Sequence, residues 1–148
     1  MPHSDSRALF ERLAAQRILV LDGAMGTLIQ TKKLVESDYR GQRFANHARD
    51  LRGNNDLLAL TSPDLIRELH EAYLEAGADI IETNTFNSTT VSQSDYDLGS
   101  VVYELNIAAC RLARLAVDKW SERTPDRPRV PCSARRRART RRRPACRV

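Results

Sequence analysis

At Arg129 the chain changes character. The last 20 residues hold nine arginines and no acid. The other 15 basic residues and all 19 acids lie before that point. The net charge of +5 therefore conceals two unlike pieces, about −4 up to Pro128 and +9 beyond it. This break constrains the fold more than any motif, because it falls where an α/β pattern needs its next strand.

Before the break, helix and strand signals alternate. Ser6 can cap an amphipathic helix carrying Leu9, Phe10, Leu13 and Ala14. Ile18-Leu19-Val20-Leu21 is a short apolar run, as expected of a strand buried on both faces. A polar stretch from about Thr31 to Asn55 is longer than most ordered connections, so it reads as a functional loop or a mobile one. Thr61-Ser62-Pro63-Asp64 opens a second helix: serine for the cap, proline for the first position, an acid for the positive end. Its stripe is Leu65, Ile66, Leu69, Tyr73 and Ala76, and Gly77 stops it. Ala78 to Asn84 predicts a second strand. A third helix, about Gly99 to Trp120, carries Val101, Val102, Leu105, Ala109, Leu112 and Ala116 on one face, and Thr124 to Pro128 breaks it.

This order predicts an α/β fold with a parallel sheet of βαβ units. Two strands do not complete such a sheet. Arginine repulsion and prolines at 128, 131 and 144 predict an irregular, exposed tail that binds polyanions weakly and without sequence preference.

Several function classes drop out. Hydrophobic residues make up 41%, too many for a disordered chain. No run of about 18 apolar residues is present to span a bilayer. The first seven residues lack the apolar segment of a secretory signal, so the expected location is cytoplasmic. Cys110, Cys132 and Cys146 form neither a disulfide framework nor a CxxC clamp. Cys110, among Ala108, Ala109 and Leu112, is expected in the core. His70 is expected on the helix surface or partly packed, and His47 has no metal partner at ligand spacing.

Two segments can carry chemistry. Leu21-Asp22-Gly23-Ala24-Met25-Gly26-Thr27 follows the first strand. Ligand sites in parallel α/β folds lie at such carboxyl ends. Asp22 can hold an ammonium there, and Gly23 and Gly26 let backbone N–H groups approach a carboxylate. The local alternative is a glycine turn with a capping Asp. Glu82-Thr83-Asn84-Thr85-Phe86-Asn87-Ser88 follows the second strand. Thr83, Asn84 and Thr85 can bind the polar end of a small molecule, with Phe86 as a wall; the alternative is a self-capping polar loop. Equivalent positions at two strand ends favour one shared small-molecule site.

These segments, with Gly53-Asn54-Asn55-Asp56, resemble the homocysteine S-methyltransferase family over about Leu9 to Arg129. Within it they are most similar to the homocysteine-binding domain of cobalamin-dependent methionine synthases, to which Ser37-Asp38-Tyr39-Arg40-Gly41 points. The resemblance implies a (β/α)8 barrel, with homocysteine at its top as a zinc thiolate. The thiolate takes a methyl group from methylcobalamin, recharged from methyltetrahydrofolate in further domains. It also implies that Asp22 binds the substrate ammonium and the Gly23 backbone its carboxylate, with Ala24, Met25, Thr83, Asn84, Thr85 and Phe86 lining the pocket. Other donors in such a family are betaine and S-methylmethionine.

Residues 1–129 hold about two of the eight βα units. The family's zinc ligands are three late cysteines, and Cys110, Cys132 and Cys146 do not match them. The piece is thus expected to be an inactive fragment that binds neither zinc nor cobalamin and lacks the folate and cobalamin domains. Residues 130–148 are expected to be out of frame. Permitted codons for the segment from Pro131, read one base earlier than Cys132, give Val-Leu-Gly-Pro-Thr-Thr-Arg-Thr, which resembles the family's third strand. The rival expectation is an evolved basic arm for nucleic acid; the absence of lysine in the tail favours the frameshift.

Overall fold

A computed structural model describes residues 6–132. In chain order the elements are α1 (Ser6–Gln16), α2 (Met25–Thr31), α3 (Glu36–Arg40), α4 (Leu58–Thr61), α5 (Pro63–Glu75), β1 (Ile80–Glu82), α6 (Thr90–Gln93), α7 (Val102–Arg123) and β2 (Val130–Cys132). Short 3-10 turns at Asn55–Leu57, Ser94–Tyr96 and Gly99–Val101 link them. The result is a mostly helical α/β fold with a small parallel sheet.

Helix α5 ends where glycine allows it to. Gly77 takes φ +104°, its N–H donates to Leu74 O, and the Ala78 N–H donates to Tyr73 O. This Schellman closure satisfies two terminal carbonyls and turns the chain directly into β1. Pro63 opens the helix as expected. Ser62 occupies the cap position without capping; its hydroxyl donates to Asp38 O at 3.5 Å instead. The buried stripe is Ile66, Leu69, His70 and Leu74, whereas Ala76 is exposed.

The first strand is shorter than the apolar run implies. A single parallel bridge joins Leu21 to Ile80. Val20 O accepts from the Asp79 and Ile80 N–H groups, and Asp22 N–H donates to Ile80 O at 2.9 Å. Ile18, Val20 and Leu21 are exposed, Ile18 at 91%. Burial on both faces is therefore corrected: among the described residues nothing covers the outer side of this segment.

Val130–Cys132 corrects the expectation of an irregular tail. These residues pair in parallel with β1, Ile80 opposite Val130 and Glu82 opposite Cys132. Val130 and Arg129 are buried. An apolar residue beside an open strand edge suffices here, because Val130 N–H reaches Asp79 O at 2.9 Å and Cys132 O accepts Thr83 N–H at 2.8 Å. The expectation for residues 133–148 lies outside the described residues.

Helix α7 packs on α5 and the sheet through Ala113, Ala116 and Val117, and on Ala59 of α4 through Leu105 and Ala109. Alanines on that face permit close approach to Leu74 and Ile81. Cys110 is exposed, not in the core as expected, because it lies off the 102-105-109-113-116 stripe. A second cluster joins Ile29, Tyr39, Leu51, Leu57, Leu58 and Ile66. It anchors the polar stretch, which is ordered rather than mobile. Glu36 accepts the Leu51 and Arg52 N–H groups, and Arg40 donates to the carbonyls of His47 (2.6 Å) and Arg49 (2.9 Å).

Candidate functional site

The parallel register brings Asp22 to the carboxyl end of β1. Its two oxygens accept the Glu82 N–H at 3.0 and 3.1 Å. Only 8% of the residue is exposed. Burial pushes its carboxyl up to about 6; the Glu82 N–H opposes the rise and the Glu82 charge adds to it. Asp22 is thus a buried acid whose charged form is disfavoured, and a cation placed beside it would stabilise that form.

The second segment joins it there. Thr83, Asn84 and Thr85 are buried, with Thr83 Oγ1 and Thr85 Oγ1 sharing a hydrogen bond at 2.7 Å. Asn84 donates to Asn55 O at 2.7 Å. Gly23, Ala24 and Phe86 are exposed and Met25 is half-buried at the start of α2. The polar members Asp22, Thr83, Asn84 and Thr85 are thus buried at this strand end, while Gly23, Ala24 and Phe86 are exposed.

Asn54, Asn55 and Asp56 brace this end and have no individual role among the sequence expectations. Asp56 Oδ2 accepts Asn87 N–H and Ser88 Oγ–H, both at 2.7 Å. Burial raises its pKa, against the lowering by those two donors. Asn54 and Gln93 exchange side-chain hydrogen bonds at 2.8 and 3.2 Å, and Gln93 also donates to Asn87 O. Tyr39 donates to Asn55 Oδ1 at 3.1 Å. The signal for them was Asn-Asn-Asp directly before Leu57-Leu58-Ala59-Leu60, a polar triplet too close to a core run to stay solvated.

A groove of about 720 Å³ lies elsewhere, between α5 and α7, walled by Asp64, Leu65, Arg67, Glu68, Glu71, Leu115 and Lys119. It shares no residue with the strand-end cluster. Its charges are paired, Lys119 with Glu71 at 2.6 Å and Glu68 with Lys32 at 2.7 Å. Geometry and chemistry favour the strand ends as the site.

His70 is wholly buried, not at the surface or partly packed, and neither ring nitrogen has a hydrogen-bond partner among the described residues. Burial lowers its pKa to about 4, so the ring is neutral. His47 Nε2 lies 2.8 Å from Tyr96 O, a structural contact. Among the described residues no three His, Cys, Asp or Glu side chains come together to hold a metal. Those residues do not fit a zinc centre. No described helix is long and apolar enough to cross a membrane.

Residues 19–135 match the model of the family described as homocysteine S-methyltransferase. The chain belongs to that family. It is also similar to two crystal structures of the homocysteine methyltransferase MmuM from Escherichia coli. The metallated form shares 22% identity at a TM-score of 0.63, over 82% of this chain and 39% of that one. The oxidized form shares 24% at 0.58, over 76% and 35%. Likeness at this identity speaks for the fold. The chain spans well under half the length of those structures.

Proposed function

We propose that the strand-end cluster is the amino-acid-binding part of a homocysteine site, and that the chain is the N-terminal portion of a homocysteine methyltransferase barrel. The observation that carries this is the Asp22 carboxylate, buried beside Thr83 to Thr85 at the carboxyl end of the sheet. Its ionised form gains from an ammonium partner. The exposed Gly23 backbone offers an N–H to the substrate carboxylate, and no atom stands within 4 Å of its would-be Cβ. Thr83, Asn84 and Thr85 supply fixed dipoles, and Phe86 and Met25 shield the substrate's chain from water.

The parallel Leu21–β1–β2 order supports the barrel, being that of successive βα units. In the family the reaction moves a methyl group onto the homocysteine sulfur. The residues described here bind and orient the amino-acid end. The segment Ser37 to Gly41 supports methylcobalamin as the donor, since it resembles methionine synthases. Further folate and cobalamin domains belong to the same proposal.

Calorimetric titration of L-homocysteine under reducing conditions tests this. A lost charged hydrogen bond costs about 1.5–3 kcal/mol, so Asp22→Asn should weaken binding roughly tenfold or more. Equal binding by both proteins would remove Asp22 from the site.

A further inference from the structure

At the opposite end of the sheet three arginines converge on one acid. Asp79, Arg17 and Arg129 precede β1, the Leu21 segment and β2, so this is the amino-terminal edge. Asp79 is 1% exposed. Arg17 grips it with two bonds, at 2.6 and 2.8 Å. Arg127 Nε donates to Oδ1 at 3.1 Å, and Arg129 Nη1 stands 3.7 Å away. Val20 N–H adds a fifth approach, at 3.0 Å. Burial pushes the Asp79 carboxyl up, but the Arg17, Val20 and Arg127 bonds overcome it and hold it well below the usual range.

One carboxylate cannot neutralise three guanidiniums. The remaining bonds of Arg127 and Arg129 go to neutral carbonyls, Gly77 O and Arg127 O, both at 2.7 Å. They satisfy donors without supplying charge. The Arg129 side chain is only 4% exposed, and its buried Nε has no acceptor among the described residues. Burial, then the Arg127 charge, lower its pKa; the Asp79 charge opposes this first and the exposed Asp126 after it. Arg129 shares its near counter-charge, Asp79 at 3.7 Å, with two other guanidiniums, and a buried cation so thinly paired is costly.

We propose that Arg17, Arg127 and Arg129 form a binding site for a small oxyanion of the phosphate class, separate from the homocysteine end. A dianion offsets the excess positive charge that Asp79 and the exposed Asp126 leave, and supplies oxygens to the unpartnered Arg129 Nε. Several oxygens on one centre suit the planar fork of each guanidinium. Arg17 and Arg127, 35% and 41% exposed, leave the cluster open to the ligand.

The test compares the thermal midpoint in sodium phosphate and in sodium chloride of equal ionic strength. Three full-length proteins are used: wild type, Arg129→Met, and Arg141→Gln as control for the arginine-rich tail. Phosphate at about tenfold its Kd should raise the midpoint of wild type and Arg141→Gln by roughly 3 °C and leave Arg129→Met unmoved. Line broadening of the phosphorus-31 resonance reads the same contrast without a melt. A parallel arm with glycerol phosphate separates sources: an equal effect means the phosphoryl group of a larger molecule is accepted, and an effect of free phosphate alone confines the site to the ion. Equal responses of wild type and Arg129→Met, or none beyond chloride, would overturn the proposal and leave a purely structural ion-pair hub.

Discussion

Both carboxylate oxygens of Asp22 face the backbone N–H of Glu82, 60 residues along the chain. That contact fixes the acid at the strand end and removes it from water. The Asp22 pKa, about 6, lies above its unfolded value of 3.8. Its contribution to stability is therefore present below pH 4 and lost as pH rises through 6. At pH 8 the ionised acid costs stability. Asp22→Asn, which keeps an acceptor for Glu82, should stabilise the chain by about 1–2 kcal/mol at pH 8. The gain should vanish near pH 4. Urea midpoints across that range check it; a gap independent of pH would refute the buried-acid account.

His70 makes the opposite demand. Its folded pKa, about 4, lies below the ordinary 6.5. Its contribution is complete above pH 6.5 and is lost as pH falls towards 4. Neither nitrogen has a partner among the described residues, so an apolar replacement forfeits no hydrogen bond to them. We expect His70→Leu to change stability by less than about 1 kcal/mol at pH 7 and to stabilise at pH 5. Parallel acid limbs in wild type and variant would contradict this.

How far these features were legible depends on how local their causes are. Pro63 and Gly77 announce the ends of α5 because each acts through its own φ angle. The placement of Asp22 and Thr83 at strand ends was legible because apolar runs end just before them, at Leu21 and Ile81. The order within residues 31–55 was not, since it rests on Glu36 reaching Leu51 and Arg52 and on Arg40 gathering distant carbonyls. No periodicity encodes such bonds. Nor did the stripe of α5 distinguish a buried His70 from an exposed one, because helical spacing permits either. Asp79 read as one acid of a strand, and only folding brings Arg17, Arg127 and Arg129 to it.

Asp56 should hold the site's second segment in place. Asp56→Ala strands the Asn87 N–H and the buried Ser88 hydroxyl. Leaving buried donors unpaired costs about 1–3 kcal/mol. Asp56→Asn keeps one acceptor and should cost less. Hydrogen exchange at Asn87 and Ser88 should quicken in the alanine variant, while exchange at the far end of α7 stays unchanged. Uniform loss of protection would mean that Asp56 supports the whole core instead.

The chain contributes to the sheet past Arg129, through Cys132. Val130 is 7% exposed and pairs with Ile80. Removing it exposes apolar surface worth about 1.5–3 kcal/mol. It also deprives Asp79 O of the Val130 N–H, and losing Cys132 deprives Thr83 N–H of its acceptor. A chain ending at Cys132 should therefore keep the urea midpoint of the full chain. A chain ending at Arg129 should lose at least about 2 kcal/mol and protection at Thr83. Both should lose most binding to heparin, because eight of the tail's nine arginines follow Cys132. Equal midpoints for the two truncations would show that the β1–β2 ladder adds nothing to stability.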